Sequence, residues 1–250
     1  MRARVTGIGL WTPGFPDVAS WLAQRRVEGA DAPSAASGQR RRGSLLVNMV
    51  AEVAAQASRQ AGAELSRLRI VVGSAFGELA TLVAMLDERE RDGLLSPLRF
   101  QNSVHNAAAG QLSIAQKNKG PAMSLAAGND TVAMVLLEAL TLLALEDHDV
   151  IAIVADEPLP QSIRPGHHAS AIAAALVLTR DTSAGVGGLG VLEDLRQTNA
   201  GSSTAELPVE VDGPTAAILP LIAALGQRRS GRVDVSPAED PRWSLALRDA

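Results

Sequence analysis

At 250 residues, 46% of them hydrophobic, the chain is long enough to bury a core in one large domain or two small ones, which excludes disorder over most of its length. Only 2% of the residues are aromatic and none is Tyr, so that core is built from Ala, Val, Leu and Ile. A formal net charge of −4 without a long basic run excludes nucleic acid and acidic membrane surfaces as expected partners, and the absence of Cys excludes disulfides, thiolate metal sites and a cysteine nucleophile.

In chain order, Ala3 to Leu10 reads as a strand stopped by Thr12-Pro13-Gly14, not as a charged and apolar signal segment, and a cytoplasmic location is expected. Asp17 is placed to cap a short helix through Arg26. Glu28 to Gly43 reads as a loop, and the triplet Arg40, Arg41 and Arg42 within it as solvated charge. Ser44 then caps a helix in which Leu46, Met49, Val50, Val53, Ala54, Ala57 and Ala61 keep helical spacing.

Leu68 to Ser74 is apolar up to Gly73 apart from Arg69, the pattern of a strand covered on both faces. A helix is expected over Glu78 to Arg91, a loop over Gly93 to Arg99, and a helix over Ser103 to Gln116. Pro121 to Ala126 reads as a strand, Asn129 to Glu146 as a helix, and Val150 to Asp156 and Ala169 to Thr179 as strands. Two successive helix-then-strand alternations predict an α/β layered sheet. The helix from Asn129 is apolar nearly all round and is expected to be covered on every side. Its apolar run, Val132 to Leu145, carries Glu138 and falls short of the roughly 20 residues that span a bilayer. Beyond Arg180 come a Gly-rich loop, a strand through Leu195, a flexible link over Asn199 to Glu206, a helix over Gly213 to Leu225, and two strands at Arg232 to Ser236 and Trp243 to Arg248.

The chemistry concentrates at Ala127-Gly128-Asn129-Asp130-Thr131. A strand that ends in a sharp turn into a helix presents one side chain to the backbone N–H groups and the positive dipole end of that helix, the layout of a nucleophile elbow. Asn129 can donate and accept hydrogen bonds but cannot attack, and a plain helix cap by Asn129 or Asp130 accounts for the same spacing. Gly73-Ser74-Ala75-Phe76-Gly77 misses the Gly-x-Ser-x-Gly pattern by one place, so a hydrolase using Ser74 or Ser124 has no His and acid set by motif beside it. His167-His168, after Pro165-Gly166, reads as a loop pair lacking a third metal ligand, and neither a metal nor another cofactor is expected.

The run Lys119 to Asn129, KGPAMSLAAGN, resembles the segment of β-ketoacyl synthases in which Gly-Pro and a strand lead to Ala-Cys. Phe100 to Ile114, FQNSVHNAAAGQLSI, is similar to the helix before it in that family, and Val5 to Pro13 resembles the family's opening strand and turn. The resemblance covers roughly the first 180 residues. It implies a thiolase-like layered α/β fold with the N-terminal half intact over 1–180 and a reduced C-terminal half over 181–250. On this match the family's acylated cysteine falls on Asn129, so no catalytic residue is assigned. The paired histidines of its decarboxylating site belong to motifs that appear nowhere after Arg180, since the four histidines are His105, His148, His167 and His168.

The resemblance therefore implies a catalytically silent chain-length-factor subunit, like the partner subunits of aryl-polyene and related pathways. Such a subunit forms a heterodimer with an active ketosynthase and meets the acyl carrier protein only indirectly. In that family the strand before the nucleophile turn pairs across the two-fold axis, and here that strand is Pro121, Ala122, Met123, Ser124, Leu125 and Ala126. An apolar strand flanked by two apolar helices also leaves an open sheet edge on physical grounds, unless the chain's own last strands cover it. Met85, Phe100, Gln101, Val104 and His105 are the candidates to close the far end of a partner's acyl tunnel, each of them equally explained by internal packing. A homodimeric scaffold and an acyl-carrier-binding module are the competing readings.

Overall fold

A computed structural model describes residues 1–34, 43–163, 170–181, 187–198, 207–209, 211–237 and 242–250. The strands are β1 (Arg2–Trp11), β2 (Arg69–Gly73), β3 (Ala122–Leu125), β4 (Val150–Asp156), β5 (Ile172–Arg180), β6 (Gly190–Gln197), β7 (Gly231–Asp234) and β8 (Trp243–Arg248). The helices are α1 (Val18–Leu22), α2 (Leu45–Ala61), α3 (Leu79–Asp92), α4 (Pro97–Asn102), α5 (Ala107–Ala115), α6 (Thr131–Leu145) and α7 (Leu219–Gly226).

All eight strands form one sheet in the order β3-β2-β4-β5-β1-β6-β8-β7. β2 runs parallel to both β3 and β4, and the other neighbours are antiparallel. The period of two sorts the central strands between two cores. Ile70, Val72, Ile151 and Ile153 face α2 and α5, whereas Val71, Ala152 and Val154 face α6. Helix α2 lies directly on β1, where a Cβ on Gly7 would come within 2.1 Å of the Ala57 carbonyl oxygen and one on Gly9 within 2.4 Å of that of Val53. Beyond the reach of β6, which pairs only with Arg2 to Val5, the Ile8 and Leu10 amides donate to Gln60 and Gln56 of α2.

Several expected elements change their limits for identifiable reasons. Asp17 caps α1 with a capping box, but α1 ends at Leu22 because Gln24 turns left-handed at φ 51°. Ser96 caps a short helix with Pro97 in its first turn inside the segment expected to be loop, and the next helix begins at Ala107, not Ser103. The segment after Gly213 opens as a 3-10 helix, Pro214–Ile218, and becomes α-helical from Leu219. Ser44 caps α2 as expected. Arg40 to Arg42, His167-His168 and the link 199–206 lie outside the described residues.

Helix α6 departs from the expectation of cover on every side. Val132, Val135, Leu136, Ala139, Leu140 and Leu143 are buried against the sheet and the C-terminal helix, yet Met134, Leu137, Glu138, Thr141 and Leu142 are only half-buried and Leu145 is 77% exposed. Gly128–Leu145 has the length and hydropathy of a membrane span by composition, with half of that window buried in the fold. A helix built into the core of a sheet passes the same test.

Candidate functional site

Ala126 to Asn129, which follow β3 and lead into the 3-10 turn, are exposed. Gly128 supplies the turn with φ +56°, a conformation that costs a residue without Cβ little. Thr131 fixes the corner: its hydroxyl accepts from the Ala127 amide at 3.0 Å and donates to the Gly128 carbonyl at 2.8 Å. Gly128 to Asp130 form a 3-10 turn that feeds α6. Neither Asn129 nor Asp130 caps α6 with its side chain, so the cap explanation fails, and Thr131 holds the preceding turn through Ala127 and Gly128. Asn129 thus stands exposed in the turn at the head of α6.

The serine alternatives are not assembled. Ser74 is 2% exposed, and its hydroxyl donates to Asp156 Oδ1 at 2.6 Å while accepting from the Gly77 amide at 2.8 Å. His105 Nε2 lies 3.0 Å from the Ser74 carbonyl oxygen, which only accepts, so this nitrogen carries the proton and is turned away from the hydroxyl. Ser124 Oγ is buried with no partner among the described residues, and no base reaches it. Among the described residues no group of three His, Asp or Glu side chains is positioned to hold a metal.

β3 is the outermost strand, paired with β2 alone. Pro121, Ala122 and Ala126 are exposed and Met123, Ser124 and Leu125 half-buried. The chain's last strands, β7 and β8, lie at the opposite end of the sheet, so they do not cover this edge. The carbonyls of Pro121 and Leu125 accept from Ile70 and Ser74 of the β2 segment. Since alternate residues of a strand direct their backbone groups to opposite sides, those of Ala122 and Ser124 point to the open side.

The five tunnel candidates separate. Met85 is 4% exposed and packs inside, whereas Phe100 (59% exposed), Gln101 and Val104 face outward, and His105 is half-buried against the Ser74 to Gly77 turn. Leu94 and Leu95 are exposed in the same stretch of chain.

A polar cluster that the sequence reading passed over lies at the C-terminal ends of β2 and β4. Asp156 Oδ1 also accepts from the Phe76 amide, Glu157 accepts from the Leu46 amide at 2.9 Å, and Glu78 accepts from Ser44 at 2.6 Å and Thr81 at 2.9 Å. Burial raises the pKa of all three carboxyls. For Glu157 the value is pushed up to about 7, with the Leu46 hydrogen bond opposing the shift and the Glu78 and Asp156 charges adding to it. Hydroxyls and amides oppose the rise at Glu78 and Asp156. The signal in the sequence is Asp156-Glu157, two acids directly after an apolar strand.

Residues 19–233 match the family described as β-ketoacyl synthase, N-terminal domain. This match starts after the Val5 to Pro13 segment and runs beyond residue 180, so it is displaced toward the C-terminus from the expected extent. A comparison with curated proteins finds no match. Among solved structures, a chain of the ketosynthase ApeO in complex with its chain length factor ApeC from Xenorhabdus doucetiae is similar at 21% identity and TM-score 0.67, over 98% of this chain and 99% of that one. A chain of the ishigamide ketosynthase/chain length factor aligns at 15% identity and TM-score 0.64, over 79% and 67%. A chain of the AntDE:AntF complex, a type II PKS acyl-carrier protein with its ketosynthase bound to the hexaketide, aligns at 13% identity and TM-score 0.80, over 100% and 99%. The sheet and its flanking helices are those of the thiolase-like ketosynthase fold, and the chain belongs to the β-ketoacyl synthase N-terminal domain family.

Proposed function

We propose that this chain is a non-catalytic chain length factor, a ketosynthase-like subunit that pairs with an active ketosynthase and shapes its acyl tunnel in polyene biosynthesis of the fatty acid and polyketide type. The observation that carries this reading is the β3 edge, unpaired among the described residues, beside an exposed Asn129 in a chain without Cys; by the family resemblance Asn129 stands where the nucleophile is expected. Strand-to-strand pairing through Pro121 to Ala126 satisfies the outward backbone groups and joins the two sheets into one. The partner supplies the cysteine and both histidines, and the acyl carrier protein docks on the partner.

In the same reading Phe100, Gln101 and Val104 form the surface presented to the partner's tunnel, while Met85 and His105 hold that surface in place from within. Residues 1–180 form the ketosynthase-like domain and 181–250 a reduced C-terminal part packed on it, with no cofactor and a cytoplasmic location. Co-purification with a ketosynthase tests the assignment: a stable one-to-one complex with altered product length supports it. A homodimer that persists when the ketosynthase is added favours the scaffold reading instead.

A further inference from the structure

The three carboxyls at the strand ends come from separate parts of the chain. Glu78 precedes α3, Asp156 ends β4 and Glu157 follows it; they are 2%, 4% and 8% exposed. Facing them are the Ser44 hydroxyl and Leu46 amide at the head of α2, Ser74 with the Ala75 and Phe76 amides in the turn after β2, Thr81 in α3, and the Thr215 hydroxyl in the 3-10 helix. His105 adjoins the cluster through the Ser74 carbonyl. No Lys or Arg among the described residues forms an ion pair with any of the three. Asp156 Oδ2 and Thr215 Oγ1 are both buried with no hydrogen-bond partner of good geometry among the described residues, although the Thr215 hydroxyl lies near enough to Asp156 to oppose the rise of its pKa.

Three buried carboxyls without a counterion among the described residues cannot all ionise cheaply, and a buried carboxylate oxygen with no hydrogen-bond partner among those residues is where a proton relieves the cluster. We propose that Glu78, Asp156 and Glu157 act together as a latch that ties the head of α2 and the Ser74–Gly77 turn to the end of β4, and that the latch tightens on mild acidification. The turn is continuous with the site described above, because the Ser74 amide donates to the Leu125 carbonyl at the end of β3. The proposal is independent of the partner assignment and concerns the isolated chain.

Burial raises the carboxyl pKa values, so the folded latch binds protons more tightly than the opened one. Its contribution is complete below the opened-state value of 4.5 for Glu157 and declines as pH rises to about 7, beyond which it is constant. Hydrogen exchange of the Leu46, Val47, Phe76 and Gly77 amides in the full chain, corrected for intrinsic rates, reads this directly. Protection is expected to rise about tenfold or more from pH 7.5 to 5.5 in the wild type and to rise clearly less in Glu157→Gln, where only Glu78 and Asp156 remain to take up protons. Equal profiles in the two proteins, or protection that falls on acidification, overturn the proposal. Should Glu157→Gln not fold, a carboxyl NMR titration of the wild type decides: proton uptake near neutrality supports the latch, and titration of all three groups near pH 4 overturns it.

Discussion

The Ser74 hydroxyl donates to Asp156 Oδ1 at 2.6 Å across the ends of two parallel strands, and this bond occupies the serine that a hydrolase would need as a nucleophile. Ser74 also accepts the Gly77 amide, which closes the turn into α3. The residue is therefore a joint between β2 and β4. Ser74→Ala removes a buried bond to an acid together with the acceptor for Gly77, at a cost of about 2 kcal/mol. Urea unfolding checks this, and an unchanged midpoint would show that the joint contributes nothing.

Global stability should depend on pH in the sense set by the buried acids. Glu157 is raised from 4.5 to about 7, so the folded state binds more protons than the unfolded state in that interval. Unfolding free energy then decreases as pH rises from about 4.5 to 7, by about 3 kcal/mol at most from this group. Glu78 and Asp156 act in the same direction. Chemical unfolding across this range should give a falling curve, flattened in Glu157→Gln.

Ala122→Pro probes the sheet edge with little disturbance of the fold. Residue 122 directs its backbone away from β2 and its side chain is exposed, so the proline deletes only an outward donor. The variant should fold with an unchanged melting temperature and lose the one-to-one complex with a ketosynthase. A retained complex would place the interface elsewhere.

Asn129→Cys should not produce condensation activity in the isolated chain. The cysteine gains the head of α6 and its dipole, yet the histidines that the family uses for decarboxylation have no counterpart after Arg180. Radiolabelled malonyl-carrier assays on the variant alone should remain at background. Measurable condensation would refute this account of the missing half.

Much of the fold was legible because local rules and tertiary structure agreed. The helical apolar spacing after Ser44 gave α2, the apolar run from Ile70 to Gly73 gave a strand covered on both faces, and Val150–Asp156 fell where expected. α4 was missed because a six-residue helix has little periodicity to read, although Ser96-Pro97 carried its start signal. The extent of α6 burial depended on how much cover the last 70 residues provide, which no local pattern encodes. At the site, Asn129 and the β3 edge were visible as motifs. The carboxylate cluster was not, because Ser44, Glu78 and Asp156-Glu157 are far apart in sequence and meet only when β2 and β4 pair.

The most direct test of the central claim is native mass spectrometry of the chain co-expressed with a ketosynthase that has an intact cysteine and two histidines, combined with product analysis with and without the chain. The account predicts a one-to-one complex and a product length that changes when the chain is left out. Full condensing activity and an unchanged product length from the ketosynthase alone would contradict it.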